Sequence, residues 1–242
     1  MNTEQVIDKT ARLLKSFLAD GKQGRLVNYK DPAALYTLLD LEAFPDGAQW
    51  PQIFDWIEKY LAYSVKTGHP GFVNRMWAGA NLPSIVGEMV TAVSNTSACT
   101  YESAPVSTVM EKYMLGQMLD LVGFANGEAQ MTTGSSNANM LAMMAARNTC
   151  LPDIKTKGVF GQQKMAAFVS ADAHYSMEKA ANMLGLGTAH LIKIPVNKQG
   201  EMDMDILEGE LEKTLQHNVV SFFVAGTAGT TVRGAYDLCL DR

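Results

Sequence analysis

Short, mainly apolar runs alternate with helical segments in the second half of the chain, and this order restricts the fold more than any other feature of the sequence. The runs lie at 165–170, 189–194 and 219–225, and helical patterns at 175–184 and 204–217 separate them. A strand, a helix and a second strand in this order form a parallel crossover. The sequence therefore predicts a three-layer α/β domain with a parallel sheet.

The first part of the chain is mainly helical in pattern. Apolar residues recur with helical period along residues 3–20, and Gly21 follows as a stop. Further helices are predicted at 32–39, 52–61, 82–93 and 106–122, and Pro45, Asp46, Gly47 and Pro51 predict a loop. His69-Pro-Gly forces a turn, so we predict a helical N-terminal arm over 1–68 and a larger domain over 69–242. Such an arm packs on a partner subunit or forms a free-standing cap.

Composition excludes several classes of partner. The net charge is −5 and no basic cluster is present, so nucleic acid and anionic membrane surfaces are not expected to bind. No apolar run is long enough to span a bilayer, and the first residues lack a signal-peptide pattern, so a cytoplasmic location is expected. Cys99, Cys150 and Cys239 have neither disulfide nor metal-ligand spacing, which predicts buried thiols and no metal site.

Polar residues cluster where a small turn leads into a helix, at Thr133-Gly-Ser-Ser136. The first amides of a helix have no carbonyl partner and lie at the positive end of the helix dipole, so Gly134, Ser135 and Ser136 predict an anion site, most often for phosphate. The simpler alternative is an N-cap on a surface helix. Met140, Met143 and Met144, which follow at helical spacing, are expected to fill the core.

Two strand ends carry further polar groups. His174 follows the strand at 165–170 directly, and the Thr-rich turn at 226–232 follows the strand at 219–225. Taken alone, the histidine is more often a structural hydrogen bonder, and the turn is often an ordinary loop. Together with the anion site, however, they are the parts that a phosphorylated planar cofactor needs. The polar segment at 95–105 is longer than a simple connection, which makes it a candidate site loop.

Five motifs in a fixed order carry a family resemblance. They are His-Pro-x-Phe from His69, Thr-Tyr-Glu-x-Ala-Pro from Thr100, Thr-x-Gly-x-Ser-x-Ala-Asn from Thr132, Ala-x-x-His-Tyr-Ser from Ala171 and Ala-Gly-Thr-Thr-x-x-Gly-Ala-Tyr-Asp from Ala228. This order resembles the group II pyridoxal-5′-phosphate-dependent amino acid decarboxylases, which include the glutamate, cysteine sulfinate, diaminobutyrate and aromatic amino acid decarboxylases. The resemblance implies the large domain of the aspartate aminotransferase-like fold type I, with a parallel-rich sheet in a three-layer sandwich after the helical arm.

The resemblance also implies residue roles. Gly134, Ser135 and Ser136 would bind the phosphate of pyridoxal 5′-phosphate, and His174 would stack on the pyridine ring as the catalytic histidine. The remaining implied positions are Thr231 and Asp237 beside the cofactor, and Asn74, Arg75, Thr100, Tyr101 and Glu102 near the substrate entrance. Ser135 stands where the family usually has a second glycine, and Arg75 stands where animal glutamate decarboxylases have a glutamine. A cation at position 75 either favours an acidic substrate or forms a local ion pair.

Two family residues are expected outside this chain. The Schiff-base lysine and the aspartate that pairs with the pyridine nitrogen follow the last motif in the family, whereas the sequence stops at Arg242. We therefore expect a truncated, N-terminal part of the enzyme whose partner is the missing C-terminal part. Lys164, Lys179 and Lys193 lie in no matching context, and each is expected to have a surface role.

The implied activity is that of a pyridoxal phosphate-dependent carboxy-lyase, which converts an acidic, glutamate-like amino acid to its amine and CO2. A homodimer is expected, because the apolar helical arm favours association. Diaminobutyrate or an aromatic amino acid is an alternative substrate. A further alternative is an inactive fragment that binds the cofactor weakly or only dimerises. A nucleotide-binding α/β protein is disfavoured, because the Gly134 turn is neither a Gly-x-Gly-x-x-Gly fingerprint nor a P-loop.

Overall fold

A computed structural model describes residues 1–40, 45–74, 77, 79–124 and 126–237. Residue contacts divide the chain into two units, Met1–Cys99 and Thr100–Arg242. The domain boundary that the sequence predicts after residue 68 stays a prediction. Within the described residues, no helix is both long and apolar enough to cross a membrane.

The described residues of the first unit form four helices, and their positions confirm the helical prediction. They are α1 (Thr3–Asp20), α2 (Pro32–Leu39), α3 (Trp50–Tyr63) and α4 (Leu82–Ser94). A capping box starts α1, because the Asn2 side chain accepts from the Gln5 amide and the Gln5 side chain accepts from the Asn2 amide. The loop prediction was wrong at Pro51, which lies in the first turn of α3. Proline is tolerated there, since the first helical amides have no intrahelical partner.

Helices α1 and α3 pack on each other around Phe54, which is almost completely buried. The Lys9 ammonium lies 4.3 Å from the centre of the Phe54 ring and 3.5 Å from the Glu58 carboxylate. A cation over an aromatic face is attracted by the negative charge density of the ring. One side chain of α1 therefore makes both an aromatic and an ionic contact with α3.

The second unit alternates helices and strands. Its elements are α5 (Pro105–Leu121), α6 (Ser135–Cys150), α7 (Ile154–Lys157), β1 (Met165–Ser170), α8 (Ser176–Met183), a 3-10 turn (Thr188–His190), β2 (Leu191–Ile194), α9 (Met204–Gln216) and β3 (Val220–Ala225). The predicted helix after the anion turn begins directly after Gly134, so Ser135 and Ser136 already belong to α6. The strand expected from 189 begins at Leu191, after the 3-10 turn.

The three strands form a parallel sheet in the order β2-β1-β3, which confirms the predicted crossovers. One face packs against α6 and α8 through Met143, Ala180 and Ala181, and the other packs against α9 through Leu207. All six residues of β1 are buried. The described part of the chain therefore has the predicted three layers, with β1 at the centre.

Two expectations about side-chain burial have different outcomes. Met143 is completely buried and Met140 packs beside it, which confirms that these two methionines fill the core, whereas Met144 is half-buried. The prediction of buried thiols was wrong for Cys99 and Cys150, which are both exposed. Cys150 is the last residue of α6. Cys239 lies outside the described residues.

Candidate functional site

The start of α6 has the geometry of an anion site. Gly134 is the N-cap residue, with φ +151° and ψ 161°, a conformation that only glycine adopts readily. Its carbonyl accepts the amides of Asn137 and Ala138, at 2.9 and 3.1 Å. Among the described residues, none accepts a hydrogen bond from the amides of Ser135 and Ser136, and both serines are exposed. Two amides and two hydroxyls are therefore available to an anion.

The loop after β1 fixes the orientation of His174. The Ser176 amide donates to His174 Nδ1 at 3.2 Å, so in the neutral imidazole the proton is on Nε2. The Tyr175 ring lies beside the imidazole, with 4.2 Å between the ring centres. His174 is half-buried. Its Nε2–H group is consequently left as a donor, while the other nitrogen holds the ring to the backbone.

The turn after β3 is closed by hydrogen bonds around Thr230. The Thr230 amide donates to the Ala235 carbonyl at 2.8 Å, and the Ala235 amide donates back to Thr230 Oγ1 at 3.0 Å. Thr230 is buried, whereas Thr231 is partly exposed. Of the two threonines, Thr231 therefore has the side chain that is accessible to a ligand.

Side-chain contacts join these three segments. Asn139 in α6 donates to the Ser176 hydroxyl at the start of α8, at 2.9 Å. Asp172 in the loop after β1 lies 3.1 Å from Arg233 Nε in the turn after β3. Because β1 and β3 are adjacent and parallel, their carboxyl ends lie at one edge of the sheet. The three polar segments predicted separately thus lie together at this edge.

The role of Asn139 and Ser176 was missed from the sequence. Both residues occur in the quoted motifs, at the ends of Thr-x-Gly-x-Ser-x-Ala-Asn and Ala-x-x-His-Tyr-Ser. Each motif ends on a polar residue, which was the available signal for a contact between them. The Asp172–Arg233 pair was also missed, because its residues are far apart in the sequence and only the sheet order brings them together.

Asp237 binds two backbone amides. Its carboxylate oxygens accept from Met202 at 2.6 Å and from Thr227 at 2.9 Å. Its own amide donates to the Thr227 carbonyl at 2.9 Å. These contacts brace the turn after β3 against the segment before α9, and its place beside a cofactor stays a prediction.

The predicted substrate-entrance residues are divided between the two units. Thr100 and Tyr101 belong to the second unit, where Thr100 Oγ1 lies 3.0 Å from Ser103 Oγ and the Tyr101 side chain is exposed. Asn74 belongs to the first unit and is exposed. Arg75 lies outside the described residues. Their roles stay predictions.

The lysines that the sequence suggested as surface residues are exposed. Lys193 pairs with Glu178, and the Lys179 ammonium lies 4.4 Å from the centre of the Tyr175 ring. Lys164 is exposed just before β1. The expected surface role of these three residues is confirmed.

Comparison with known sequences places the chain in one family. Residues 32–241 match the family described as "Pyridoxal-dependent decarboxylase conserved domain". The human acidic amino acid decarboxylase GADL1 is 34% identical over 237 residues, which cover 97% of this chain and 46% of that protein. Human cysteine sulfinic acid decarboxylase is 37% identical over 213 residues, or 88% of this chain and 43% of that protein. The chain therefore spans a little under half the length of these relatives.

Comparison with solved structures agrees. The crystal structure of mouse CSAD in its apo form superposes with a TM-score of 0.94 at 34% identity, over 97% of this chain and 50% of that one. A rice TDC with PLP and tryptamine superposes with a TM-score of 0.85 at 19% identity, which shows a shared fold alone. The predicted fold type I is thereby confirmed. The chain belongs to the pyridoxal-dependent decarboxylase family.

Proposed function

We propose that this chain forms the cofactor-phosphate part of a pyridoxal phosphate-dependent amino acid decarboxylase. The observation that carries the proposal is the joining of the α6 start, the His174 loop and the Thr231 turn at one sheet edge, through Asn139–Ser176 and Asp172–Arg233. Membership of the family supports the same function.

The residues at this edge fit a phosphorylated cofactor. A Cβ built at Gly134 would meet no atom within 4 Å, so the space beside this residue is open. The amides and hydroxyls of Ser135 and Ser136 would hold the phosphate, because unpaired amides at a helix start favour an anion. Thr231 would lie beside the cofactor and Asp237 would hold that turn in place.

The bound cofactor would supply an electron sink for the electrons of the broken carbon–carboxylate bond. His174 would cover one face of the cofactor ring, held by the Ser176 amide. Its Nε2–H would donate to the substrate carboxylate and orient it. Thr100 and Tyr101 would contact the substrate at the entrance.

The proposed substrate is an acidic amino acid. The relatives that support this class are named for acidic amino acids, cysteine sulfinic acid and glutamate. Release of CO2 from glutamate, aspartate and cysteine sulfinate should be measured beside that from diaminobutyrate and tryptophan. Preferential release from either of the last two would contradict the proposed class.

An inactive chain that binds the cofactor weakly is the second candidate. It is favoured by the contacts of Lys179 and Lys193, whose ammonium groups are engaged by the Tyr175 ring and by Glu178. Borohydride reduction after incubation with pyridoxal phosphate, followed by peptide mass spectrometry, separates the candidates. A protein longer than this chain that carries one pyridoxyl group and releases CO2 supports the enzyme, whereas reversible binding without an adduct and without CO2 release supports the inactive chain.

The two cofactor contacts can be tested separately. Ser136→Ala should weaken pyridoxal phosphate binding about tenfold, because a hydrogen bond to a charged group is worth about 1.5 kcal/mol or more. Ser107→Ala, at an exposed serine of α5, is the matched control and should leave the dissociation constant unchanged. Equal constants for both variants would exclude Ser136 from the phosphate site.

In the complete enzyme, His174→Ala should remove most of the turnover while phosphate binding is retained, since the imidazole would lie against the cofactor ring and the substrate carboxylate. CO2 release at saturating pyridoxal phosphate measures the first effect. Near-normal turnover would contradict the stacking role.

The expected dimer is supported by the exposed apolar side chains of α4 and α5, and analytical ultracentrifugation tests it.

A further inference from the structure

The loop after β1 and the turn after β3 are each held to other parts of the domain. The Asp172 amide donates to Ser170 Oγ at 3.2 Å, and the Ala171 amide donates to the Ile194 carbonyl of β2 at 2.7 Å. The turn after β3 is braced by Asp237, which accepts the amides of Met202 and Thr227. Neither set of contacts fixes the distance between the two segments beyond the strand ends.

Arg233 and Asp172 connect the loop after β1 to the turn after β3. Among the described residues, their ion pair is the one hydrogen bond or ion pair that joins residues 171–176 to residues 226–237. Asp172 Oδ2 is buried and, within the described part of the chain, accepts no hydrogen bond. Arg233 Nε, 3.1 Å away, is therefore the charge that compensates this oxygen.

Gly200 gives Arg233 room to reach Asp172. A Cβ at Gly200 would lie 3.0 Å from Arg233 Cδ and 3.2 Å from Ala235 Cβ, and the φ of Gly200 is +86°. A side chain at position 200 would consequently be strained and would press on the arginine. The Arg233 stem thus passes over a backbone position where only glycine fits.

We infer that the Asp172–Arg233 pair is a positioning pair that sets the separation of His174 from Thr231 across the cofactor ring. Asp172 precedes His174 by two residues and Arg233 follows Thr231 by two, so the pair fixes both segments close to their ligand-facing side chains. Ser135 and Ser136 lie on α6, with which, among the described residues, neither member of the pair shares a hydrogen bond or an ion pair. The inference rests on the proposed cofactor site and adds two residues that make no direct contact with the cofactor.

The pair should affect the two ends of the cofactor differently. Arg233→Ala and Asp172→Ala should each weaken pyridoxal phosphate binding about threefold to fivefold, the range expected for a partly exposed ion pair. Both variants should bind inorganic phosphate as the unchanged protein does, because phosphate needs only the α6 start. A general loss of structure would weaken the binding of both pyridoxal phosphate and inorganic phosphate.

The test is a double-mutant cycle on the purified protein, stripped of cofactor, with dissociation constants measured by calorimetry for pyridoxal phosphate and for inorganic phosphate. The double variant should be no weaker than either single variant, and Arg233→Lys should recover part of the affinity. Lys213→Ala, which removes an exposed ion pair with Glu210 on α9, is the matched control and should change neither constant.

The outcomes separate the inference from the proposed function. Independent, additive losses for the two single variants, or pyridoxal phosphate binding equal to that of Lys213→Ala, would overturn the positioning role. A parallel loss of phosphate binding would overturn it as well, since the pair would then act through overall stability. An unchanged protein that binds neither ligand would contradict the cofactor site itself.

Discussion

The sheet layer and the helices α4 and α5 contain similarly apolar side chains but differ completely in how these are covered. Every residue of β1 is buried, and Phe168 at its centre has no exposed surface. In α4 and α5 no residue is buried, although both helices are rich in valine, methionine and leucine. Val93 of α4 is 85% exposed and Leu121 of α5 is 87% exposed. Apolar periodicity identifies a helix, therefore, but does not by itself say what lies against it.

The candidate site lies in the sheet layer, where the apolar side chains are covered. The loop after β1 and the turn after β3 begin at strands packed between α9 on one side and α6 and α8 on the other. Side chains on rigid elements hold their positions more closely than side chains on mobile ones. The second unit can therefore fix the proposed cofactor contacts although α5 is not covered.

The largest expected effect is on the core. Phe168→Ala should lower the free energy of unfolding by about 3–5 kcal/mol, because it leaves a cavity beneath the sheet. Met110→Ala, at an exposed residue of α5, should change it by less than about 0.5 kcal/mol. Urea denaturation followed by circular dichroism measures both. A loss of several kcal/mol for Met110→Ala would contradict the difference between the two regions, since it would mean that α5 is covered in solution.

Backbone conformation at the rim of the sheet layer should give the next largest effect. Gly134→Ala forces an alanine into a glycine-only conformation, at a cost of about 1–3 kcal/mol in the free energy of unfolding. Gly209→Ala is the matched control, because Gly209 lies inside α9 with open space beside it. It should raise the free energy of unfolding by about 0.5–1 kcal/mol. If Gly134→Ala also raised the free energy of unfolding, φ at Gly134 would not be fixed by the fold.

Helix caps should give the smallest effect and compare the two regions directly. Asp203 accepts the amides of Asp205 and Ile206 at the start of α9, and Asn81 accepts the Ser84 amide at the start of α4. Asp203→Ala should cost about 1 kcal/mol, because α9 packs on the sheet and its loss counts in global unfolding. Asn81→Ala should cost only about a few tenths of a kcal/mol, as an uncovered helix can fray locally. Thermal unfolding by calorimetry distinguishes them, and equal costs would indicate that α4 unfolds with the core of its unit.

Much of the fold could be predicted because its signals are local. The amphipathic period and the stop at Gly21 predicted α1, and five apolar residues followed by Ser170 predicted β1 at its observed bounds. Pro51 misled the loop prediction, because proline breaks a helix in its interior but suits its first turn. Cys150 was expected inside because thiols are usually buried, yet its burial depends on the tertiary position of the last turn of α6.

The site was predictable as a set of segments and less so as a set of contacts. Gly134, His174 and Thr231 follow from turn composition and from the ends of strands. Asn139–Ser176 and Asp172–Arg233 do not, because each pair joins residues that are distant in the sequence. Strand order decides such contacts, and a single sequence contains no direct signal for it.

Asp237 has a consequence for how the chain can vary. Its carboxylate binds the amides of Met202 and Thr227, which every residue except proline possesses. The identity of the side chain at position 227 is consequently irrelevant to these bonds, whereas position 237 needs a side chain with two acceptor oxygens to make both. Substitutions at this turn are therefore restricted at position 237, whereas position 227 tolerates any residue except proline as far as these bonds are concerned.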